Sequence, residues 1–415
     1  MNPKAYLPFL MWMFPLLFFA YQFILRLWPS VMMHSIMHQF SIDATAFGVL
    51  ASMYYYGYAG FQIPIAILLD RYSPRYVISG CAILCGLSMW AFVHTHSWPI
   101  ALLSRFLIGV GSAVGFLGTS KVISSWFKPG QYARMVAVTF SLGLMGAIYG
   151  GRPVSLLVSR LGWQPVAMGL VWVSLGIGVC VFLFLRNNPH ADPENTETTI
   201  SLTGLSEVFR SPAVWLLAIT TFLMVGPLEG FADVWGVSYL VNAYGMIKSD
   251  AAGLVSFIFV GMLLGAPILV SFSKRWGDYT VIALCGLMMA GALWILLYVP
   301  FLKVPVLGVL LFLIGIACCY QALIFSAGHH LVKPQFLGVT IAFLNGVNML
   351  GGPFFHSLIG ITMDAFWEGQ EVFGLRQYSL VSYQKALGLI PICALLGTLL
   401  VVYLRRMRKV REVIS

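Results

Sequence analysis

The sequence predicts an all-α membrane protein with twelve transmembrane helices in two homologous six-helix halves. Three observations predict this fold class: the composition, the recurrence of long apolar segments and an internal repeat. Hydrophobic residues make up 60% of the 415 residues and charged residues only 9%, with a mean hydropathy of +0.88. A soluble domain carries about a quarter of its residues as charged side chains. The composition therefore places the chain in a lipid bilayer.

Apolar segments of about 20 residues, the length that crosses a bilayer as an α-helix, recur along the whole chain. The first of them continues well past the apolar core of a signal peptide and lacks a small-residue cleavage site, so it is predicted to be a mature helix. The predicted helices, numbered 1 to 12 in chain order, are 7–37, 44–69, 75–94, 98–125, 133–159, 165–185, 213–240, 250–272, 279–300, 304–328, 335–362 and 383–404.

The two halves of the chain repeat each other on either side of a polar segment, 187–211, which is predicted to be a cytoplasmic linker. Four stretches align at offsets of 207, 206, 205 and about 200 residues: FILRLW (23–28) with GFADVW (230–235), RFLIGVG (105–111) with LFLIGIA (311–317), WFKPGQ (126–131) with LVKPQ (331–335), and GGRP (150–153) with GGP (351–353). The predicted domains are a bundle over 1–186 and a second bundle over 212–415. Two homologous halves of six helices are typical of one transporter architecture.

Basic residues predict the orientation in the membrane. With an even number of helices and a cytoplasmic N-terminus, fifteen Lys and Arg residues fall on the cytoplasmic side and five on the other. This asymmetry is expected of inside loops, so both termini are predicted to be cytoplasmic in a cell inner (plasma) membrane. The net charge of +10 is then a feature of topology and predicts no nucleic-acid partner. The seven cysteines fall within predicted helices and are interpreted as packing residues, with no metal site or cofactor expected.

Charged residues inside the predicted helices are the candidate functional residues. They are Arg26, Arg105, Lys121 and Arg152 in the first half and Glu229 and Asp233 in the second. Each costs at least about 2.5 kcal/mol at the centre of a lipid-facing helix, so they are expected to face a cavity or one another.

Arg26 and Asp233 occupy the same position in the two halves, and each is followed two residues later by a tryptophan. Opposite charges at equivalent positions predict a pair, either a gate that closes the outer side of a cavity or a permanent structural pair. Glu229 lies four residues from Asp233, on one face of an α-helix. Two carboxylates this close repel each other, so one of them is predicted to carry a proton. A carboxylate held ionised by a neighbouring arginine is the alternative.

Several motifs resemble those of the major facilitator superfamily. AILLDRYSPR (66–75) is similar to the family's signature loop between helices 2 and 3, RFLIGVGSA (105–113) to its helix 4 motif, and GLMGAIYGGRP (143–153) to its glycine-rich helix 5 motif. The stretch from FAYQFILRLWPSVM through LLDRYSPR also resembles a bacterial group related to the lysosomal dipeptide carriers. Ala66, Ser73 and Pro74 depart from the signature, and FSKRWGD (272–278) has Lys274 where the second copy of the loop would have its aspartate.

The resemblance implies the major facilitator fold, with helices 1, 4, 7 and 10 lining a central cavity. It implies gating roles for Asp70, Arg71 and Arg75, to which the outer-pair argument adds Arg26. Candidate substrate-binding residues are Arg26, Gln22, Arg105, Asp233, Gln321 and Asn345, and candidate proton-coupling residues are Glu229 and Asp233. The neutral polar residues among them could equally join helices to one another. His356 is a weaker coupling candidate, since it could simply bond a helix carbonyl.

The chain has neither a nucleotide-binding loop nor a catalytic constellation, so the sequence predicts a secondary active transporter and not an enzyme or an ATP-driven pump. Cations in the first half and anions in the second favour a zwitterion such as an amino acid or short peptide, with proton coupling left open. A proton-coupled carrier of organic anions, such as carboxylates or a siderophore, is the alternative. A signalling receptor on a transporter fold would need a sensory or effector domain that is absent from this sequence. The predicted partners are a small-molecule substrate, membrane lipids and protons, and the predicted state is a monomer.

Overall fold

The computed structural model describes residues 6–186, 188, 209–329, 331–332, 337–372 and 374–414, and within these residues the chain is almost wholly helical. The predicted linker, 187–211, lies outside the described residues except for 188 and 209–211. The predicted division into domains at this linker therefore stays a prediction.

In the first half, each predicted helix is present, and several are made of two segments that meet at a break of one residue. The segments are Leu7–Val31 and Met33–Phe40 for helix 1, Ala44–Gly60 and Gln62–Arg71 for helix 2, Pro74–His94 for helix 3, Trp98–Ser112 and Val114–Trp126 for helix 4, Pro129–Gly150 and Arg152–Leu161 for helix 5, and Trp163–Phe184 for helix 6.

The second half follows the same plan and adds a short β-hairpin before its last helix. The helical segments are Pro212–Met224, Pro227–Trp235 and Gly236–Tyr244 for helix 7, Lys248–Trp276 for helix 8, Asp278–Tyr298 for helix 9, Val304–Cys318 and Tyr320–His329 for helix 10, Leu337–Ala365 for helix 11, and Leu380–Leu387 and Leu389–Ile414 for helix 12. The hairpin pairs β1, Glu371–Val372, with β2, Leu375–Arg376, in antiparallel register.

Ten helices in the described part of the chain are long and apolar enough to cross a membrane. The two remaining predicted spans, helices 2 and 11, are also helical, while the total of twelve spans stays a prediction. Large apolar side chains such as Trp172, Leu161 and Leu399 are 60–66% exposed. Extended exposed apolar surface of this kind is typical of a membrane protein. The all-α membrane fold predicted from composition is thus confirmed.

The chain forms two compact units, one of Met1–Ile42 and Val49–Glu197 and one of Asp43–Gly48 and Thr198–Ser415. The units correspond to the two halves of the chain with one exception. Residues 43–48, which begin helix 2, group with the second unit, whereas the rest of that helix groups with the first.

Helix 7 differs from the continuous α-helix predicted over 213–240. Its middle segment, Pro227–Trp235, is π-helical, so its hydrogen bonds join residues five apart. Pro227 has no N–H to continue the α-helical ladder, and the amides of Leu228 and Glu229 both donate to the carbonyl of Val225, each at 3.0 Å. A proline in mid-helix is the physical reason for the altered winding.

The internal repeat has a direct counterpart in packing. In the first unit, a methyl group added to Gly109 of helix 4 would overlap the carbonyl oxygen of Tyr54 in helix 2. In the second unit, a methyl group on Gly315 of helix 10 would overlap the carbonyl of Ile258 in helix 8. The two glycines are 206 residues apart, the offset of the sequence repeat in these helices. Close backbone approach at small residues is how helices associate in lipid.

We expect Gly109→Ala to destabilise the protein by about 1–3 kcal/mol, because the backbone of helix 2 must shift to admit the methyl group. Gly176→Ala, in helix 6, is the matched control, since no atom lies within 4 Å of its added Cβ. Thermal unfolding in detergent would measure both. Equal midpoints for the two variants would contradict the close contact.

Candidate functional site

Arg105 holds the backbone of helix 1. The residue is 2% exposed, and its guanidinium donates to the carbonyl oxygens of Leu25 at 2.5 Å and Arg26 at 2.8 Å. Pro29 explains why an acceptor is available, because a proline has no N–H for the carbonyl four residues before it, here that of Leu25. The guanidinium also lies over the ring of Tyr54, 4.7 Å from its centroid. Arg105 thus satisfies a carbonyl that the helix cannot satisfy itself.

The second half lacks both partners of this arrangement. The repeat aligns Pro29 with Gly236 and Arg105 with Leu311. Gly236 keeps its N–H, which donates to the carbonyl of Phe231 within helix 7. Proline and arginine therefore occur together in one half and are replaced together in the other, as expected if the arginine is there to serve the proline.

Arg26 lies one turn before Pro29 on helix 1 and is partly exposed. Its guanidinium is 5.2 Å from the ring centroid of Tyr55 in helix 2, and Tyr54 and Tyr58 are close enough to interact with its charge. A cation near an aromatic face is stabilised by the ring's electrons. The first unit thus presents a positive charge on a wall of tyrosines.

Gln22 lies one turn before Arg26 on the same helix and is 5% exposed. Its side-chain oxygen has no hydrogen-bond partner among the described residues, and its amide lies against Gly115 of helix 4. A buried amide oxygen of this kind can accept a hydrogen bond from a ligand hydroxyl or a water molecule.

Glu229 and Asp233 lie on the π-helical segment of helix 7, and they are 0% and 1% exposed. A π-turn holds more residues than an α-turn, so residues four apart remain neighbours on one side of the helix. Both carboxylates interact electrostatically with Cys318 of helix 10. The second unit thus buries two acidic groups beside helix 10.

His356 of helix 11 donates from Nε2 to the backbone carbonyl of Glu229, at 2.7 Å. The carbonyl accepts, so this nitrogen carries the proton. A bond to a helix carbonyl is the predicted alternative to proton coupling for His356, and this is such a bond. It attaches the π-helical segment to helix 11.

Neutral polar residues on helices 7, 10 and 11 differ in their contacts. Asn348 accepts from the Thr221 hydroxyl at 2.8 Å, and Tyr320 donates to the Thr221 carbonyl at 2.9 Å. These contacts join helices 7, 10 and 11. Gln321 is half-buried, and its Nε2 has no hydrogen-bond partner among the described residues. Asn345 is half-buried on helix 11.

The signature loop of the first half contains an ion pair that the sequence did not reveal. Asp70 at the end of helix 2 accepts from Lys121 of helix 4, with 2.7 Å between Nζ and Oδ1. Ser73 precedes helix 3 and accepts from the amide of Arg75, and Pro74 is the first residue of that helix. Serine and proline are favoured at these positions, which accounts for two departures from the signature.

The two arginines of this loop differ in environment. Arg71 is exposed, while the guanidinium of Arg75 lies over the ring of Phe182 in helix 6, 4.7 Å from its centroid. The Nε of Arg75 is buried and lacks a hydrogen-bond partner among the described residues. Of the three predicted gating residues in the loop, Asp70 is the one that joins helix 2 to helix 4.

In the second half, Lys274 stands where the signature loop would have its aspartate, and a different carboxylate makes the acidic contact. Asp278, the first residue of helix 9, accepts from the Ser326 hydroxyl of helix 10 at 2.8 Å and from Ser273 at the end of helix 8. The second copy of the loop thus retains an acidic contact with helix 10, from a different position and to a neutral donor.

A family model described as Major Facilitator Superfamily matches residues 13–356. The chain belongs to the major facilitator superfamily. The resemblance predicted from the signature loop is thereby confirmed.

Several proteins with similar sequences are named as transporters. The chain is 25% identical over 278 residues to a probable L-galactonate transporter of Escherichia coli, covering 61% of this chain and 60% of that protein. It is 22% identical over 240 residues to a hexuronate transporter of Bacillus subtilis, covering 54% of this chain and 56% of that protein. The chain thus spans less than two thirds of the length of these relatives.

The fold is similar to that of a solved superfamily member, a bacterial homologue of the human lysosomal transporter Spinster in an inward-facing and occupied conformation. The TM-score is 0.75 at 16% identity, covering 98% of both chains. This similarity confirms the major facilitator fold.

The structure places the predicted site residues in both units. Arg26, Gln22 and Arg105 lie together in the first unit, and Glu229 and Asp233 lie together in the second. The pairing of Arg26 with Asp233 stays a prediction. Sequence reasoning missed that Arg105 serves the backbone, although Pro29, four residues after Leu25, was the available signal. It also missed the ion pair of Asp70 with Lys121, which no local pattern indicates.

We expect Arg105→Leu to destabilise the protein by about 2 kcal/mol or more, because the buried carbonyl of Leu25 and the partly buried carbonyl of Arg26 lose their donor. In a Pro29→Ala background the loss should be smaller by at least about 1 kcal/mol, since the new N–H can bond the Leu25 carbonyl. Thermal unfolding of the double-mutant cycle measures this coupling. Pro15→Ala, in the same helix, is the control and should add independently, and equal coupling for both prolines would contradict the assignment.

Asp70→Asn and Lys121→Gln should each slow transport by a similar factor, and the double variant should be no slower than either single variant. The pair is largely exposed, with 59% of the Asp70 side chain accessible, so its loss should change stability by less than about 1 kcal/mol. Initial uptake rates at matched membrane expression test this. A double variant with multiplied losses would show that the two residues act separately.

Proposed function

We propose that this transporter carries a small organic anion, a hydroxylated carboxylate of the sugar-acid type, together with protons. The observation that carries the proposal is the difference between two arginines on helices 1 and 4. Arg105 is buried and donates to backbone carbonyls, whereas Arg26 keeps partial exposure beside tyrosine rings. Arg26 is therefore the residue we assign to the substrate carboxylate.

The surroundings of Arg26 suit a polyhydroxylated substrate. A guanidinium can bind a carboxylate through two parallel hydrogen bonds. Tyrosine hydroxyls of helix 2 can donate and accept, and the Gln22 oxygen, one turn away on helix 1, can accept. The names of two relatives, which refer to galactonate and hexuronate, support this class, because both compounds are sugar-derived carboxylates.

Glu229 and Asp233 are the residues that we assign to proton coupling. Both carboxylates are buried on a helix inside the membrane, where an ionised acid is costly. Protonation removes that charge. One proton bound here and one monovalent anion bound near Arg26 leave the net charge of the transporter unchanged, so the two ligands can cross the membrane together without moving net charge.

A zwitterion is the second candidate, and the same two acids favour it. An amino acid or short peptide would place its carboxylate toward Arg26 and its amine toward Glu229 or Asp233. This arrangement uses the acids for binding, so it leaves no separate group for coupling in the second unit.

We also propose the plasma membrane as the location, with both termini cytoplasmic, on the distribution of Lys and Arg. A monomer is proposed as the transporting unit, with Gln321 and Asn345 as further substrate contacts and with Arg26 and Asp233 as an outer gate.

Uptake into proteoliposomes under an imposed pH gradient tests the proposal. Unlabelled glucuronate or galactonate should compete with labelled galactonate, whereas alanyl-alanine should not, and Arg26→Gln should lose uptake that Arg26→Lys partly retains. Uptake of the dipeptide without competition by sugar acids would establish the zwitterion instead.

Glu229→Gln should abolish accumulation driven by the pH gradient while counterflow of preloaded substrate continues, because the variant can bind substrate but cannot release a proton. Glu368→Gln is the control, as this carboxylate is exposed in the loop after helix 11. Loss of accumulation and counterflow together would assign Glu229 to binding or folding.

A further inference from the structure

The beginning of helix 2 is capped by residues more than 300 positions later in the chain. The amide of Ala44 donates to the Tyr378 hydroxyl at 2.9 Å, and the amide of Thr45 donates to the Asp364 carboxylate at 2.7 Å. Only the third amide, that of Ala46, has a local cap, the side chain of Asp43 at 2.9 Å. Since the first amides of a helix have no partner within it, helix 2 depends on the region after helix 11 for two of them.

Asp364 is the centre of this cluster. Its two oxygens accept from the amide and hydroxyl of Thr45, from the Tyr378 hydroxyl at 2.5 Å and from Arg376 at 3.0 Å. Arg376 also lies 3.4 Å from Asp43. The Asp364 side chain is 13% exposed. Hydrogen bonds to an ionised acceptor are about twice as strong as neutral ones, so one carboxylate provides most of the attachment.

The charge of Asp364 keeps its two donors, Tyr378 and Arg376, protonated. Burial and the hydrogen bond to Asp364 raise the pKa of Tyr378, which keeps its hydroxyl protonated as a donor. Burial by itself lowers the pKa of Arg376. The hydrogen bond to Asp364 and the charges of Asp364 and Asp43 together outweigh burial, so the pKa is raised. The guanidinium also lies over the Trp367 ring, 4.6 Å from its centroid.

Backbone packing holds the same junction. A methyl group on Gly360 of helix 11 would overlap the Ala44 carbonyl, and one on Gly48 would overlap the His356 carbonyl. These contacts explain why residues 43–48 group with the second unit while the rest of helix 2 groups with the first. The first turn of helix 2 is therefore held to helix 11 by backbone packing as well as by hydrogen bonds.

We propose that Asp364 is the centre of a polar latch that holds the first turn of helix 2 to the end of helix 11 and that opens locally, without unfolding of the surrounding helices. The latch comprises Asp43, Thr45, Asp364, Arg376 and Tyr378. Its release exposes the amides of residues 44 and 45 to water, which can replace their lost partners at the membrane surface. The proposal does not depend on which substrate is carried.

Hydrogen–deuterium exchange of the full-length protein tests the latch. In the unaltered protein, amides of residues 44–48 should exchange faster than interior amides of helix 8, because the latch opens without global unfolding. Asp364→Asn should raise exchange at residues 44–48 at least about tenfold, since an amide offers one acceptor in place of a charged pair. Exchange in helices 8 and 9 should remain unchanged.

Glu368→Gln is the matched control, because this carboxylate accepts from Ser379 and not from helix 2. Tyr378→Phe is a second variant, which removes the partner of the Ala44 amide and should raise exchange about threefold. The proposal is overturned if residues 44–48 exchange only at the rate of helix 8, if both latch variants leave that rate unchanged, or if Glu368→Gln has the same effect. A uniform rise across helices 8 and 9 would also overturn it, as the residue would then support the fold generally.

Discussion

A backbone carbonyl or amide without a partner costs several kcal/mol in hydrocarbon, and this constraint accounts for the main departures from regular helix in the protein. Pro29 interrupts the ladder of helix 1, and Arg105 compensates with two hydrogen bonds to carbonyls. Pro227 interrupts helix 7, and the chain continues from it with π-helical winding, in which His356 donates to the carbonyl of Glu229. In both cases, the group that satisfies the backbone lies next to a charged residue assigned to transport.

The two halves therefore share a framework but differ in chemistry. Both halves have a close backbone contact at a glycine, between helices 2 and 4 at Gly109 and between helices 8 and 10 at Gly315. By contrast, the first half carries Arg26 and the buried Arg105, and the second carries two buried acids. Even the loop contacts differ, since Asp70 meets Lys121 while Asp278 meets Ser326. A repeated fold with unequal charge offers separate places for an anion and for protons.

Much of the fold could be predicted because its signals are local or periodic. Apolar length, the repeat offsets and the signature loop each depend on neighbouring residues. Placing Arg26, Gln22 and Arg105 together required only the repeat and helical depth. Hydrogen-bond partners could not be predicted in the same way. Whether Arg105 faces a ligand or a carbonyl depends on a proline in another helix, and the π-helical segment leaves the apolar pattern of helix 7 almost unchanged. The contacts of Asp364 with Thr45 span 319 residues, a distance at which no single sequence carries a pairing signal.

That long span also affects biosynthesis. Helix 2 is synthesised first, and the residues that complete its first turn, Asp364 and Tyr378, follow more than 300 residues later. Until then, the amides of Ala44 and Thr45 must be hydrated, so the start of the helix is expected to remain at the aqueous surface of the nascent protein. Completion of this helix therefore follows the synthesis of helix 11, and the first half acquires its final form only after most of the second half has been made.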